Sequence, residues 1–160
     1  MTDPGFAVFD IDGVLADVSH RLHHLRGARK HWGRFFAAAE HDPPLAEGLS
    51  RATAAGEQHP IVYLSGRPER LRTVTQEWLD RHGLPTGALV LRPDRDHRPA
   101  RVLKVDRLEK LARHGPIAYV VDDDVEVCAA VQAAGYVVHH ATWAVQQPVL
   151  RDAQERQGRS

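Results

Sequence analysis

The strongest indication of the fold is a segment near the N-terminus, Phe6-Ala7-Val8-Phe9-Asp10-Ile11-Asp12-Gly13. A short apolar run ends at two carboxylates that are separated by one residue, and a glycine follows them. An apolar run without alternating polar residues is typical of a strand that is buried on both faces of a sheet. Gly13 permits a sharp turn, which would let Asp10 and Asp12 face one pocket. The stretch therefore predicts a buried strand with a carboxylate pair at its carboxyl end.

Four more short apolar runs are predicted to be strands, at residues 61–64, 88–91, 117–121 and 136–138. Three of them stop at a polar residue: Ser65, Arg92 and Asp122. Stretches predicted to be helices lie between the strands, at residues 45–55, 69–82, 102–114 and 125–134. This alternation predicts a three-layer α/β/α sandwich with a mainly parallel, Rossmann-like sheet. Ligands of such sheets bind beyond the carboxyl ends of the strands, where the polar residues lie.

The chain of 160 residues is long enough for one domain, which we assign to residues 1–142. Residues 17–42 fall outside the alternation and are predicted to form a small, mainly helical cap insertion. Residues 143–160 become polar after Trp143, and we expect this C-terminal tail to fray.

The predicted cap is rich in aromatic and histidine side chains. Trp32, Phe35 and Phe36 could stack on a nucleic-acid base, but their helical spacing favours a place in the core. Three histidines also lie in this segment, His20, His23 and His24. We do not assign them as metal ligands, because the metal considered below disfavours imidazole.

Composition excludes several classes of protein. The 21 basic side chains balance the 21 acidic ones, so a uniformly basic nucleic-acid coat protein is excluded. The sequence has no apolar run of membrane-spanning length and does not begin like a signal peptide. The single cysteine, Cys128, cannot form an internal disulfide and is expected to be inert packing. We therefore expect a cytoplasmic protein without a membrane partner.

Charge is distributed unevenly along the sequence. The net charge is −2 over residues 1–64, +4 over residues 65–107 and −2 over residues 108–160. The acidic ends and the basic middle could meet around one site, although random scatter also explains so small a difference.

The carboxylate pair of the first strand suits covalent chemistry. One carboxylate of such a pair can act as a nucleophile while the other moves protons. A calcium loop of the EF-hand type also contains Asp-x-Asp-Gly, but Val14 and Ala16 stand where further oxygen ligands would be needed.

A second group of carboxylates, Asp122, Asp123 and Asp124, follows the strand at residues 117–121. Clustered carboxylates repel one another unless a cation offsets their charge, and Mg²⁺ is the hard divalent ion that fits. Taken alone, the cluster is more typical of a solvated acidic turn in which Asp124 caps the next helix.

Ser65-Gly66-Arg67-Pro68 ends a strand and opens a helix, which is the outline of a phosphate pocket. Lys104 lies near a helix start, where its charge opposes the helix dipole, so a functional role is favoured over simple solvation. We assign Arg67 and Arg92 to a substrate phosphate or a neighbouring nucleotide. The alternative is that each arginine pairs with an acidic side chain.

Together and in this order, Asp10-x-Asp12, Ser65, Lys104 and Asp122-Asp123 resemble the four motifs of the haloacid dehalogenase (HAD) superfamily of phosphohydrolases. The resemblance covers residues 6–143. Within the superfamily, the chain looks like the 3′-phosphatase domain of bacteriophage-type polynucleotide kinase. The stretches that carry this closer resemblance are His20-Arg21-Leu22, Ser65-Gly66-Arg67-Pro68, Trp78-Leu79, His82-Gly83-Leu84-Pro85, Leu91-Arg92 and Val102-x-Lys104.

The sequence departs from the closer family at two positions. Asp124 follows the paired aspartates where that family usually has Arg, and Ala100 stands where it often has Asp. Neither departure removes a superfamily catalytic group, but both weaken the transfer of polynucleotide specificity.

The resemblance implies a role for each motif residue. Asp10 would form an aspartyl-phosphate, and Asp12 would protonate the leaving oxygen and then activate water. Mg²⁺ would be held by Asp10, by the backbone carbonyl of Asp12 and by Asp122, with Asp123 supporting bound water. Ser65, Gly66, Arg67, Arg92 and Lys104 would bind the substrate and its phosphoryl group.

We therefore expect a Mg²⁺-dependent phosphomonoesterase that removes 3′-phosphates from nucleic acid or nucleotides. The first alternative is a phosphatase for small metabolites or 5′-nucleotides. The second is a non-catalytic phosphate-binding module, which would not need both Asp10 and Asp12. The sequence contains no G-x-x-x-x-G-K-[ST] loop, so kinase activity would need another chain. Whether a kinase or ligase partner exists does not follow from the sequence.

Overall fold

A five-stranded sheet forms the centre of the molecule. The computed structural model describes residues 2–145 and 147–160. The strands are β1 (Phe6–Phe9), β2 (Ile61–Pro68), β3 (Gly87–Arg92), β4 (Ile117–Asp122) and β5 (Val138–His140). Their order is β3-β2-β1-β4-β5, and every neighbouring pair is parallel. This confirms the predicted parallel sheet and places β1 in the middle, so that its carboxyl end is flanked by those of β2 and β4.

Helices cover both faces of the sheet. They are α1 (Trp32–Ala37), α2 (Ala46–Gly56), α3 (Arg72–Arg81), α4 (Ala100–Leu111), α5 (Val125–Ala133) and α6 (Pro148–Glu155). On one face, Ala52 of α2 and Trp78 of α3 share an apolar cluster with Phe9. On the other face, α4 and α5 pack on the sheet through a second cluster that contains Val8. The predicted three-layer sandwich is confirmed. Among the described residues, no helix combines the length and the apolarity that crossing a bilayer requires.

Two strands differ from their predicted bounds by more than one residue. β5 lies two residues later than predicted, because the Tyr136 amide donates to the Val131 carbonyl and so still closes the preceding helix. β2 continues four residues beyond the predicted end at Leu64, as far as Pro68. The extension carries Ser65, Gly66 and Arg67 in extended backbone at the carboxyl edge of the sheet.

The cap insertion consists of short helices. Residues 19–25 and 38–41 form 3₁₀-helices on either side of α1. Phe35 and Phe36 are buried in a third apolar cluster together with Leu22, so these two aromatics belong to the core. Trp32 is partly buried against the same cluster.

The C-terminal segment, which we expected to fray, contains a helix in the structure. Residues 147–160 form α6 and a following turn, and Leu150 and Ala153 of α6 join the apolar cluster of the cap. The two side chains are three residues apart, which places them on one face of the helix. The polar composition of this segment concealed a short amphipathic helix.

The turn after β1 is held by a close contact with α2. The Leu45 amide donates to the Leu15 carbonyl. A Cβ atom on Gly48 would lie 1.8 Å from the carbonyl oxygen of Val14. Glycine at position 48 therefore lets α2 press directly on the backbone that follows the Asp10-x-Asp12 pair.

We expect Gly48→Ala to destabilise the protein by about 1–3 kcal/mol, because the new methyl group meets backbone that has little room to move. In a thermal unfolding experiment, the midpoint should fall by about 3–10 °C. Gly33→Ala is the matched control, because a Cβ there meets no atom within 4 Å. It should change stability by less than about 0.5 kcal/mol. Equal melting points for the two variants would contradict the proposed close contact.

Candidate active site

Three buried carboxylates meet at the carboxyl ends of β1 and β4. Asp10, Asp122 and Asp123 each place a carboxylate oxygen within 4.8 Å of the others. Lys104 reaches into this group from α4, with its Nζ 3.1 Å from Asp10 Oδ1 and 2.6 Å from Asp122 Oδ2. Both carboxylates and the ammonium group are almost completely shielded from solvent. The parallel sheet thus brings residues from distant parts of the sequence to one point.

The cluster carries more negative than positive charge. Burial, followed by the charge of Asp122, raises the pKa of Asp10 to about 7. Burial and the neighbouring Asp10 also raise the pKa of Asp123 well above its ordinary value. Burial acts to lower the pKa of the Lys104 ammonium. The charges of Asp10 and Asp122 outweigh burial and raise this pKa above its ordinary value. An oxygen-only donor set with excess negative charge fits a hard divalent cation such as Mg²⁺.

Asp12 faces a different environment, although it is only two residues from Asp10. Its Oδ1 accepts hydrogen bonds from Arg67 Nε at 2.9 Å and Nη2 at 2.6 Å, and from Arg21 Nη2 at 3.4 Å. Asp42, at the end of the cap, accepts from both of these arginines at 2.8–3.0 Å. Two guanidiniums and two carboxylates thus form a closed, buried network that ties the cap to the carboxylate pair.

The surroundings of Asp10 and Asp12 shift the pKa values of their carboxyl groups in opposite directions. Burial acts to raise the pKa of Asp12, but the Arg67 and Arg21 guanidiniums outweigh burial and hold that pKa below its ordinary value. The pKa of Asp10 is raised instead. Opposite shifts in neighbouring titratable groups are typical of residues that perform different steps of a reaction.

The Ser65-Gly66 segment lies beside these carboxylates. The Ser65 side chain is buried, and its Oγ accepts from the Arg67 amide at 3.1 Å. Arg92 Nε donates to the Gly66 carbonyl at 3.1 Å, and Arg92 Nη1 donates to the Arg98 carbonyl at 2.7 Å. Burial lowers the pKa of the Arg92 guanidinium to about 10. Arg92 therefore supports the loop backbone in this structure.

The structure brings all the predicted site residues to one edge of the sheet, but in three groups. Asp10, Lys104 and Asp122 are in direct contact, and Asp123 adjoins them. The Asp12 carboxylate lies outside this carboxylate group and pairs with arginines instead. The phosphate-binding roles assigned to Ser65, Gly66, Arg67 and Arg92 stay predictions. The charged partners of Arg67 are Asp12 and Asp42, as in the alternative given above.

Two residues of the network were not singled out from the sequence. Arg21 entered only within a stretch of the family resemblance, and Asp42 carried no signal beyond its position before two prolines. Both act through a tertiary contact that depends on how the cap folds back. Asp124 takes the capping role given as the alternative, since its carboxylate accepts from the Glu126 and Val127 amides.

Comparison with known proteins gives one family match. Residues 4–144 match the family described as "Polynucleotide kinase PNKP phosphatase domain". A search of curated proteins gave no significant match.

Several solved structures share the fold. A chain of the Pnkp1/Rnl/Hen1 complex is 18% identical with a TM-score of 0.74, covering 90% of this chain and 47% of that one. A haloacid dehalogenase-like hydrolase from Streptococcus pneumoniae is 12% identical with a TM-score of 0.61, covering 94% of this chain and 91% of that one. A HAD family enzyme from Bacteroides thetaiotaomicron, in complex with magnesium and inorganic phosphate, is 11% identical with a TM-score of 0.56. The match covers 91% of this chain and 98% of that one. The chain thus spans less than half the length of the matched chain in the Pnkp1/Rnl/Hen1 complex.

We expect Asp42→Asn to destabilise the protein by about 3–5 kcal/mol, because two buried guanidiniums lose a charged partner. Urea unfolding followed by circular dichroism measures this loss. Asp94→Asn is the matched control: Asp94 also pairs with an arginine, Arg70, but both side chains are nearly half exposed. That change should cost about 0–1 kcal/mol. Equal losses in the two variants would show that the buried network does not hold the cap.

Proposed function

The chain belongs to the family of polynucleotide kinase PNKP phosphatase domains, within the HAD superfamily, and from this premise we propose that it removes terminal 3′-phosphates from nucleic acid. The reaction is the Mg²⁺-dependent hydrolysis of a phosphomonoester through an aspartyl-phosphate on Asp10. The observation that carries the proposal is the convergence of Asp10, Asp12, Lys104 and Asp122 at one buried edge of the sheet. A non-catalytic phosphate-binding module does not need a carboxylate pair whose members are kept in different protonation environments.

Asp10 is the nucleophile of the first step. Its carboxylate oxygen attacks phosphorus, and the bond between phosphorus and the substrate's 3′-oxygen breaks. Lys104, whose Nζ is 3.1 Å from Asp10 Oδ1, favours the ionised form that attacks and can neutralise phosphoryl charge. The Ser65 hydroxyl lies on the neighbouring strand end and is suited to bind a phosphoryl oxygen.

In both steps, protons are transferred through the Oδ2 atom of Asp12. Arg67 and Arg21 occupy Oδ1, so Oδ2 is the oxygen that remains directed toward the site. In the first step this atom, which the arginines keep ionised at rest, takes up a proton from solvent or from a singly protonated phosphate of the substrate and passes it to the leaving 3′-oxygen. In the second step it accepts a proton from the water that attacks phosphorus and releases inorganic phosphate from Asp10. The arginines fix the orientation of the carboxylate throughout.

Magnesium is the cofactor that the donor set fits. Asp10 and Asp122 would hold the ion together with the Asp12 backbone carbonyl, and Asp123 lies close enough to take part. When bound, the ion supplies positive charge that stabilises the phosphoryl oxygens and offsets the carboxylate cluster.

We expect Asp10→Asn to abolish Mg²⁺-dependent phosphate release, because an amide oxygen is a very weak nucleophile. Release of phosphate from an aryl phosphate measures this, and the rate should fall by at least about 10³-fold. Asp80→Asn, at an exposed carboxylate on α3, is the matched control and should retain full activity. An active Asp10→Asn variant would contradict the assignment of the nucleophile.

A nucleic-acid substrate is favoured over a small metabolite by the charge of the cap. Residues 23–34 contain three arginines, one lysine and three histidines, without an acidic residue. Arg26, Arg29 and Arg34 are exposed and have no carboxylate partner among the described residues. The ring centres of His23 and His24 lie 4.0 Å apart, so this part of the cap brings basic side chains close together. Such an uncompensated surface attracts a polyphosphate backbone.

The setting of related proteins agrees with this substrate. Two matched chains come from structures of a Pnkp1/Rnl/Hen1 complex, and one of these is described as an RNA repair complex. We propose that the 3′-phosphorylated end of a nucleic-acid strand is the substrate here as well. A kinase or ligase would then act on the same ends, from another domain or another chain.

We expect the double variant Arg26→Ser/Arg29→Ser to raise KM severalfold for a 3′-phosphorylated oligonucleotide and to leave turnover of an aryl phosphate unchanged. The salt dependence of log KM should lose a slope of about 1.4, or about 0.7 for each phosphate contact removed on a single strand. Lys110→Ser/Arg113→Ser, at the far end of α4, removes the same charge as a control.

A panel of 3′-phosphorylated oligonucleotides, 3′- and 5′-mononucleotides and sugar phosphates tests the substrate class directly. Preference for the oligonucleotide supports the proposal. Equal activity on sugar phosphates would favour the small-metabolite alternative and would leave the phosphatase assignment intact.

A further inference from the structure

The segment after α6 enters the active site. We call residues 156–160 the strap. Its last side chain, Ser160, is only 4% exposed, and its Oγ donates to Asp12 Oδ2 at 3.3 Å. Arg92 Nη2 donates to the Ser160 carbonyl at 3.4 Å. A Cβ on Gly66 would lie 2.3 Å from the same carbonyl group, so the strap lies directly against the Ser65-Gly66 segment.

These contacts use atoms that the proposed reaction needs. Asp12 Oδ2 is the oxygen that exchanges protons with the leaving group. In this structure it accepts a hydrogen bond from a hydroxyl of the chain itself, and the leaving alcohol of a substrate would have to reach the same oxygen. Gly66 and Arg92 lie at the carboxyl ends of β2 and β3, where the substrate is expected to bind. A bound substrate and the docked strap would therefore occupy the same space.

The anchor of the strap is separate from its end. Leu150 and Ala153 of α6 are packed in the apolar cluster of the cap, and Glu155 pairs with Arg101 at 2.6 Å. The strap itself contains Arg, Gln, Gly, Arg and Ser, and thus no large apolar side chain. Its contacts in the site are long hydrogen bonds, so α6 can stay docked while the strap leaves.

The docked conformation of the strap depends on one glycine. Gly158 has φ +56°, a conformation that L-residues rarely adopt. A Cβ at this position would lie 2.0 Å from the carbonyl oxygen of His97. The next residue, Arg159, places its guanidinium 5.6 Å from the centre of the Trp32 ring on the cap. The docked strap thus depends on a backbone shape that only glycine provides at position 158.

We propose that the strap is an intramolecular competitor of the substrate, which occupies the active site in the resting protein and is displaced when a phosphorylated strand binds. This inference rests on the proposed function, because it adds regulation to the same site. A strap docked nine-tenths of the time would raise the apparent KM about tenfold over that of the open site. The chemical step, which follows displacement, would be unaffected.

Gly158→Ala tests the proposal, since the methyl group is incompatible with the docked path and touches no catalytic residue. We expect KM for a 3′-phosphorylated oligonucleotide to fall about three- to tenfold while kcat stays unchanged. Gly83→Ala is the matched control: Gly83 also has positive φ, +69°, but a Cβ there meets no atom within 4 Å. Its KM should equal that of the wild type.

A second variant and a second measurement do not depend on Gly158. Ser160→Phe is too large for the enclosed position of Ser160 and should lower KM in the same way. Hydrogen exchange reports the strap, because the Arg159 amide donates to the Ala153 carbonyl in the docked arrangement. Mg²⁺, inorganic phosphate and a dephosphorylated oligonucleotide, added together to the wild type, should speed exchange in residues 156–160.

The outcomes separate this inference from the proposed function. If all proteins hydrolyse the oligonucleotide, and KM in Gly158→Ala and Ser160→Phe is unchanged or higher, the strap is not a competitor and the function stands. If none hydrolyses any phosphate ester, the proposed function fails. Hydrogen exchange in residues 156–160 then tests the strap proposal by itself. Faster exchange with the added mixture supports displacement of the strap, and unchanged exchange overturns the proposal.

Discussion

The rest of the structure depends on how two carboxylates at the end of one strand are neutralised out of contact with water. A buried charge is tolerated only when an opposite charge or a hydrogen-bond donor compensates it. Asp10 and Asp12 meet this requirement separately, the first through Lys104 from the core and the second through Arg67 and Arg21. Because the partners come from β2, α4 and the cap, the sheet order and the position of the cap are both fixed around this one pair.

The division of partners also explains why two similar side chains can act differently. Asp10 lies among other carboxylates, so the protein leaves an excess of negative charge that favours a cation at this point. Asp12 lies among arginines, and its charge is already compensated. The two carboxylates thus have different charge environments, even though both belong to a single short segment of chain: Asp10 favours a nearby cation, and Asp12 is held ionised by its arginines.

The sequence predicted most of the fold because its strands are buried on both faces and therefore appear as unbroken apolar runs. It also predicted the polar residues at the strand ends, since parallel strands place those ends at one edge. It did not predict the network around Asp42, because the partners of a buried ion pair come together only after the cap has folded. It did not predict the docked α6 either, since one apolar face on eight mostly polar residues gives a weak signal.

The burial of the arginines limits where affinity for the substrate can come from. Arg67 is committed to Asp12 and Asp42, and Arg92 to the backbone carbonyls of Gly66 and Arg98. In the proposed reaction, Lys104, Ser65 and a metal ion would therefore provide most of the contacts to the phosphoryl group, a set that any phosphate ester could use. Discrimination between esters must then arise outside the buried cluster, on the exposed cationic face of the cap and at the position that the strap occupies. Both elements lie outside the sheet that carries the carboxylates, so specificity can vary while the chemical site remains unchanged.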